Sequence, residues 1–235
     1  MAVIKGILFD KDGTLVDFNA TWLAIGDMMA LQAAGGDRQR ADAMLANAGY
    51  DFAAGKFRAD SVFAAGTNAD VVALWYPDME RRERDRMVID FDTFTAELGS
   101  QKCVALPGSK EAIARLHASG YRLAVATNDS TSGAEKTLLT LGIAQMFDAA
   151  YGYDAVANPK PAPDSIIAFS DLTGFRPSEI AMVGDNRHDL EMARAGGAGL
   201  AVGVLSGTGT RETLAPMADV ILDSIADLPG YLATR

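Results

Sequence analysis

The sequence predicts an α/β fold, a Rossmann-like parallel sheet flanked by helices on both faces, with an inserted α-helical cap domain. From residue 107 onward, short apolar stretches alternate with helical patterns, which is typical of a parallel sheet covered on both faces. Residues 18–98, in contrast, show no clear strand pattern and read as amphipathic helices. We therefore assign residues 1–16 and 100–235 to the α/β core and residues 17–99 to the helical cap.

The individual elements follow from hydrophobic spacing and from breaks at glycine or proline. Residues 3–8 form the first predicted strand, which must join the core sheet if its motif is to meet the others. In the cap we expect helices over residues 21–34, 37–48, 69–76 and 80–98, and a turn over 51–58. In the core we expect helices over 109–117, 131–141, 165–169 and 188–195, and strands ending at 127 and 184, near 149–152, and over 200–204 and 220–222.

Composition narrows the range of functions. The 235-residue chain is 49% hydrophobic and has a formal net charge of −10. An acidic chain is poorly suited to nucleic acid or to an anionic membrane surface, and no apolar window has the length of a membrane helix. The single cysteine, Cys103, and a start without a signal-peptide pattern predict a cytoplasmic protein. Scarce histidine and cysteine argue against zinc, whereas abundant aspartate points to Mg²⁺.

Two aspartates, Asp10 and Asp12, directly follow the first predicted strand and precede Gly13. In open α/β sheets this edge is where ligands bind. The pair suits a carboxylate nucleophile beside a carboxylate acid/base, with a divalent cation that holds their charges together. An ordinary turn is the alternative, because aspartate and glycine both favour turns.

Two later stretches carry groups suited to a phosphate. Thr127 and Asn128 precede a helix that starts near Ser130, where a hydroxyl and free backbone N–H groups favour an anion. A plain helix cap is the alternative there.

Lys160 lies among three prolines, which stiffen the loop and hold its ammonium for a phosphoryl oxygen or a carboxylate. Asp164 is expected to cap the following helix.

A further strand end presents Asp185, and Asp189 follows at the start of the next helix. Asp185 is expected to face Asp10 across neighbouring strand ends, where its oxygens can ligate a hard cation. For Asp189, a favourable position at a helix N-terminus would by itself account for the carboxylate.

Taken together, these stretches resemble the haloacid dehalogenase-like hydrolase superfamily over residues 3–222. Residues 10–14 look like its first motif, Thr127 like the second, Lys160 like the third, and residues 184–189 like the fourth. The helical insert resembles the cap of the phosphoglycolate phosphatase-like subgroup. The four motifs occur in family order, and as a set they are specific.

One residue departs from the family pattern. Lys11 stands where family members more often carry an apolar residue. Because side chains alternate at strand ends, we expect Lys11 to point away from Asp10 and Asp12 and to serve a structural role, with a reach to the cap as the alternative.

The resemblance implies a Mg²⁺-dependent phosphatase that hydrolyses a small phosphate monoester, with phosphoglycolate as a candidate. Asp10 would attack phosphorus and form an aspartyl phosphate, and Asp12 would act as general acid and base. The dehalogenases of the superfamily lack the residue that matches Asp12, so its presence indicates a phosphate ester. Mg²⁺ would bind Asp10, Asp185 and the backbone carbonyl of Asp12.

The resemblance also distributes the remaining roles. Thr127, the N–H of Asn128 and Lys160 would hold the phosphoryl oxygens. Asp189 would orient a metal-bound water or Lys160. A phosphosugar mutase of the same fold remains an alternative, while a receiver domain disagrees with the chain length and with a nucleophile after the first strand.

The cap is expected to choose the substrate. Lys56 and Arg58 lie on a glycine-flanked turn, and we expect them to bind an anionic group of the substrate, with two solvated turn cations as the alternative. A phosphonate hydrolase, the least favoured alternative, would need Lys56 as a Schiff-base lysine. The partner is expected to be a small phosphorylated metabolite, and the protein a monomer or homodimer.

Overall fold

A computed structural model describes residues 3–234. Its core strands are short and mostly buried, as expected for strands covered on both faces. In chain order the strands are β1 (Gly6–Phe9), β2 (Tyr50–Asp51), β3 (Lys56–Phe57), β4 (Arg122–Ala126), β5 (Ala149–Tyr151), β6 (Ile180–Gly184), β7 (Leu200–Val204) and β8 (Val220–Leu222).

Helices alternate with the core strands and fill most of the insert between β1 and β4. They are α1 (Phe18–Ala33), α2 (Arg38–Ala48), α3 (Val62–Ala65), α4 (Asn68–Trp75), α5 (Arg81–Lys102), α6 (Ser109–Ala118), α7 (Thr131–Leu141), α8 (Asp164–Thr173), α9 (Arg187–Ala195), α10 (Arg211–Leu214) and α11 (Leu228–Ala233). Within residues 3–234, none of these helices combines the length and the apolar character that crossing a membrane requires.

Strand β1 lies inside a six-stranded sheet of order β5-β4-β1-β6-β7-β8. Every neighbouring pair is parallel, and Phe9 pairs with Val125 on one side and with Val183 on the other. The chain therefore leaves β1, β4 and β6 at the same edge, where ligands bind in such sheets. The predicted sheet is confirmed, and three of the four motifs follow its adjacent strands.

The two faces of the sheet are covered by different helices. Ile7 and Val183 contribute to one buried apolar cluster, which α6, α7 and α11 complete. Leu8 and Met182 point to the opposite face and join a second cluster with side chains of α8 and α9. This alternation along each strand is the two-residue period of β structure, and it confirms helices on both faces.

The insert has an apolar core of its own. Helices α1, α2, α4 and α5 enclose a third buried cluster that includes Ile25, Met29, Leu45, Val72, Trp75 and Phe91. An inserted helical cap is thereby confirmed, while its proposed limits at residues 17 and 99 stay a prediction. Helix α5 continues to Lys102, and the chain returns towards the core over residues 103–105. There the N–H of Asp17 donates to the carbonyl of Val104 at 2.8 Å.

Two local features of the cap differ from the sequence prediction. Residues 51–58 are the tip of a small β-hairpin, in which Tyr50 pairs with Phe57 and Asp51 with Lys56. Helix α3 was not predicted either. Strands of two residues and a helix of four are too short for a periodic pattern to be detected.

The expected capping role of Asp164 is wrong. Helix α8 begins at Asp164 itself and has Pro163 at its N-cap, without a side-chain capping bond. Asp164 Oδ1 instead accepts hydrogen bonds from the backbone N–H of Asn158 at 2.9 Å and from its side-chain amide at 3.0 Å. The carboxylate therefore closes the proline-rich loop that carries Lys160.

The close approach of Gly199, which directly precedes β7, to the turn before β6 yields a testable prediction. A Cβ on Gly199 would lie 1.9 Å from the backbone oxygen of Ser178, whereas a Cβ on Gly230 would meet nothing within 4 Å. We expect Gly199→Ala to lower the free energy of unfolding by at least ~1–3 kcal/mol, since the backbone must shift. The matched control Gly230→Ala should leave it unchanged or raise it by up to ~1 kcal/mol. Urea unfolding measures both, and equal stabilities would contradict the packing described.

Candidate active site

The carboxyl edge of β1, β4 and β6 forms the floor of a cavity of about 70 Å³ beneath the cap. The cavity brings together nearly all the residues that the sequence singled out. Among its lining residues are Asp10, Asp12, Thr127, Asn128, Lys160, Asp185 and Asp189.

Lys160 links two of these carboxylates. Its Nζ lies 2.6 Å from Asp10 Oδ1 and 2.7 Å from Asp189 Oδ1, and its side chain is only 6% exposed. Burial disfavours the charged ammonium, but Asp10 and Asp189 outweigh that effect and raise the pKa of Lys160. Lys160 is thus a fixed positive charge beside the proposed nucleophile.

Asp189 is held from both sides. Its Oδ1 accepts from Lys160, while its Oδ2 accepts from the backbone N–H of Asn186 at 2.9 Å in a capping box at the start of α9. The side chain is fully buried, which Gly184 permits, since a Cβ there would lie 2.1 Å from Asp189 Oδ2. Asp189 therefore makes the contact with Lys160 that the expected orienting role requires.

Three carboxylates form a cluster that fits a metal ion. Oxygens of Asp10, Asp185 and Asp189 lie within 4.8 Å of one another, and all three residues are buried. Burial, together with the neighbouring Asp189, raises the pKa of Asp185 to about 7. Burial also raises the pKa of Asp10, although Lys160 opposes the effect. Oxygen donors of this kind are the ligands that hard divalent cations prefer.

Asp185 is the member of this cluster with the greatest need of a cation. Its Oδ2 accepts from the N–H of Thr208 at 2.7 Å and from the Thr208 hydroxyl at 3.2 Å. Both donors are neutral, and no ion pair to Asp185 occurs among the described residues. Gly13 and Gly207 permit this packing, since a Cβ on either would lie within 2.6 Å of the Asp185 carboxylate. A divalent cation would supply the missing positive charge.

The expectation that Lys11 points away from Asp12 is wrong. Lys11 Nζ lies 2.5 Å from Asp12 Oδ2 and 3.2 Å from Asp129 Oδ2. Strand β1 ends at Phe9, so the two-residue alternation of a strand does not extend to Lys11. Asp12 Oδ1 also accepts from the indole N–H of Trp22 on cap helix α1, at 2.5 Å. The Asp12 carboxylate is therefore bound by a core lysine and a cap tryptophan.

The end of β4 provides donors suited to a phosphoryl group. The Thr127 hydroxyl accepts from the N–H of Asp129 at 3.1 Å, which leaves its own proton free to donate. The Asn128 side-chain amide is not available, because its Nδ2 donates to the carbonyls of Ala65 at 2.7 Å and of Lys160 at 3.1 Å. The phosphate-binding role expected for the backbone N–H of Asn128 does not involve this amide.

Trp22, Asn186 and His188 are among the cavity-lining residues that the sequence analysis did not assign to the site. Trp22 lies in the helix expected over residues 21–34, which the sequence analysis linked to no site. Asn186 has a buried side-chain Nδ2 without a hydrogen-bond partner, and it lines the cavity as a free donor. His188 Nδ1 lies 3.2 Å from the carbonyl of Ala65, the same cap atom that Asn128 contacts. The available signal was their place in the chain, since Asn186 directly follows Asp185 and His188 follows three residues after it.

The structure does not bring Lys56 and Arg58 to the cavity. Both are exposed on the β2–β3 hairpin, and Arg58 Nη2 donates to the carbonyl of Ala46 at 3.3 Å. The cap instead lines the cavity with apolar and neutral polar side chains, namely Phe18, Trp22, Phe63, Thr67, Asn68 and Val71. The hairpin is held by Phe57, which is buried and stacks on Phe63 at 4.6 Å between ring centroids.

Comparisons with known proteins agree with this geometry. The family model "haloacid dehalogenase-like hydrolase" matches residues 4–197. Phosphoglycolate phosphatase of Salmonella typhimurium is 32% identical, and that of Escherichia coli K12 is 31% identical, each over 96% of this chain and 91% of the relative.

Solved structures share the fold. A predicted phosphoglycolate phosphatase from Haemophilus somnus has a TM-score of 0.74 at 24% identity and covers 98% of this chain and 99% of its own. A predicted phosphatase from Clostridium acetobutylicum has a TM-score of 0.76 at 20% identity, with both chains covered fully. The chain therefore belongs to the haloacid dehalogenase-like hydrolases and is a phosphatase of that family.

Proposed function

We propose that this protein is a Mg²⁺-dependent phosphatase that hydrolyses a small phosphate monoester through an aspartyl phosphate on Asp10. The observation that carries the proposal is the position of Asp10. It lies at the carboxyl end of β1, 2.6 Å from the Lys160 ammonium and in one carboxylate cluster with Asp185 and Asp189. A nucleophile and the positive charge needed to approach an anionic ester are thus adjacent.

The reaction would proceed in two displacements at phosphorus. A carboxylate oxygen of Asp10 forms a bond to phosphorus while the ester P–O bond breaks, and the departing oxygen takes a proton from Asp12. In the second displacement Asp12 accepts a proton from water, the water oxygen bonds to phosphorus, and the Asp10–phosphorus bond breaks. Each step leaves Asp12 in the protonation state that the next one needs.

The metal site would use side chains already gathered at the sheet edge. Asp10 and Asp185 are the proposed ligands, with the backbone carbonyl of Asp12 as a third by family resemblance. When bound, Mg²⁺ would offset the negative charge that builds up between these carboxylates and the phosphoryl group. Lys160 would remain paired with Asp10 and Asp189 and would provide the second positive charge.

The phosphoryl oxygens would be held by donors around the end of β4 and β6. The Thr127 hydroxyl and the Asn128 N–H are free to donate, and Lys160 Nζ lies beside the nucleophile. The unpartnered amide of Asn186 is a fourth donor, and we add it to the set that the sequence proposed.

Cavity size supports a small substrate. A volume of about 70 Å³ holds about five to seven water-sized groups at ~10–15 Å³ each. That space suits a two-carbon ester such as phosphoglycolate, the compound named in the relatives' descriptions, better than a hexose phosphate. The mutase alternative is therefore less favoured. The phosphonate hydrolase alternative loses its basis because Lys56 lies outside the cavity lining.

We expect the Asp10→Asn variant to lose at least ~10³-fold in kcat on phosphoglycolate, because an amide is a far weaker nucleophile of nearly the same size. Phosphate release and thermal unfolding of the same preparations separate lost chemistry from lost folding. Glucose 6-phosphate, without a bisphosphate activator, should be a poor substrate of the unaltered protein. Full activity of Asp10→Asn would rule out Asp10 as the nucleophile. Efficient conversion of hexose phosphates to their isomers would favour the mutase alternative.

Asp185 is both a proposed metal ligand and a group whose titration makes the stability of the fold depend on pH. Because burial raises the pKa of Asp185 to about 7 from its ordinary value of 3.8, the metal-free native state holds a proton that the unfolded chain releases. Asp185 thus contributes stability below about pH 4, and this contribution is lost as the pH rises through about 7.

We expect the free energy of unfolding, measured in EDTA, to fall between about pH 4 and pH 8 by more in the unaltered protein than in Asp185→Asn. The difference between the two falls should be on the order of 2–4 kcal/mol. At pH 8, Mg²⁺ at a hundred times its dissociation constant should raise the Tm of the unaltered protein by about 5–10 °C and restore hydrolysis. Asp185→Asn should respond much less to Mg²⁺. Undiminished hydrolysis in EDTA would contradict the metal dependence.

A further inference from the structure

Lys11 is a buried cation that takes no part in the proposed reaction steps. Its side chain is 2% exposed, and its Nζ lies 2.5 Å from Asp12 Oδ2 and 3.2 Å from Asp129 Oδ2. The ammonium also lies 5.2 Å from the ring centroid of Trp22. Lys11 therefore touches the proposed acid/base, the loop after β4, and the first helix of the cap.

A side chain that only filled space at this position would not need a charge. Burying an ion pair costs several kcal/mol of desolvation per ion, and well-packed apolar side chains are often at least as stabilising. The chain nevertheless places Asp129 opposite Lys11, and Gly133 makes room for it, since a Cβ there would lie 2.5 Å from Asp129 Oδ2. Asp129 is further fixed by the N–H of Ser130, which donates to its Oδ1 at 2.7 Å.

The other oxygen of Asp12 is bound from the cap. The Trp22 indole N–H donates to Asp12 Oδ1 at 2.5 Å, while Lys11 occupies Oδ2. A carboxylate offers about four lone-pair sites, so two remain, and one of them can carry the proton that Asp12 donates to the leaving-group oxygen. Rotation of the Asp12 carboxylate would break both contacts, and the pair of donors is complete only when α1 lies in the position described.

We propose that Lys11 is a positioning residue, which together with Trp22 fixes the Asp12 carboxylate in the orientation in which it protonates the leaving group. This inference rests on the proposed role of Asp12. Asp129 holds the Lys11 ammonium in place, and Trp22 makes the orientation of Asp12 depend on the cap. Loss of either donor lowers the rate of the step in which Asp12 gives its proton.

The test compares two esters that differ in their need for that proton. Ethyl phosphate releases a strongly basic alkoxide, whereas 4-nitrophenyl phosphate releases a stable phenolate. The variants are Lys11→Met, Lys11→Met with Asp129→Asn, and Trp22→Phe. Lys56→Met, on the exposed hairpin, is the matched control. The kcat/KM of each variant is compared with that of the unaltered protein on the same ester, with Mg²⁺ present.

We expect kcat/KM on ethyl phosphate to fall about 10- to 100-fold in the first three variants, and kcat/KM on 4-nitrophenyl phosphate to change less than about threefold. Lys56→Met should change neither. If Lys11→Met alone fails to fold, the double variant removes the unpaired Asp129 charge, and Trp22→Phe removes only the indole N–H. Thermal unfolding measures their stability.

Equal losses on both esters would overturn the proposal, because they would indicate a general structural defect. Recovery of ethyl phosphate hydrolysis in the double variant would also overturn it, because Lys11 would then serve only to neutralise Asp129. The kcat/KM values of Asp12→Asn on the same two esters separate a failure of this inference from a failure of the proposed function. If Asp12→Asn itself loses equally on both esters, the acid role of Asp12 is wrong, and the inference falls with it.

Discussion

Charge balance at one edge of the sheet constrains the entire site. Five aspartates converge there, and two buried lysines pair with four of them: Lys160 with Asp10 and Asp189, Lys11 with Asp12 and Asp129. Asp185 is left with neutral donors alone. An incoming phosphate ester adds more negative charge, so a divalent cation is the natural complement of this arrangement. The proposed metal binding, nucleophile activation and substrate binding would thus depend on the same electrostatic deficit.

The cap is attached to this charged edge by polar contacts of specific residues. The Ala65 carbonyl accepts from Asn128 and lies within hydrogen-bond distance of His188, and Trp22 donates to Asp12. Farther from the cluster of carboxylates, the Tyr153 hydroxyl of the core donates a hydrogen bond to Asp92 on α5. Asp92 also accepts a hydrogen bond from Asn68 in the cavity wall. Residues of the cap that line the cavity are therefore hydrogen-bonded to the proposed catalytic edge of the core.

Much of this architecture could be predicted because it follows from periodicity and position. Parallel strands place their carboxyl ends at one edge, so Asp10, Thr127 and Asp185 had to converge once the strands were recognised. Lys11 was misjudged because strand alternation was applied two residues beyond the end of β1. Trp22 could not be assigned from spacing, since the same side chain contributes to an apolar cluster and donates to Asp12. Lys56 and Arg58 looked available by composition, but tertiary contacts, among them the stacking of Phe57 on Phe63, determine where the hairpin lies.

The central claim is that Asp10 carries the phosphoryl group between the two displacements. The direct measurement is rapid acid quenching during turnover of ³²P-labelled phosphoglycolate with Mg²⁺, followed by peptide mapping by mass spectrometry. The account predicts a transient, acid-stable phosphoryl adduct on the peptide that contains Asp10, and none in Asp10→Asn. An adduct on Asp185 or Asp12, or turnover that passes through no covalent adduct at all, would contradict it.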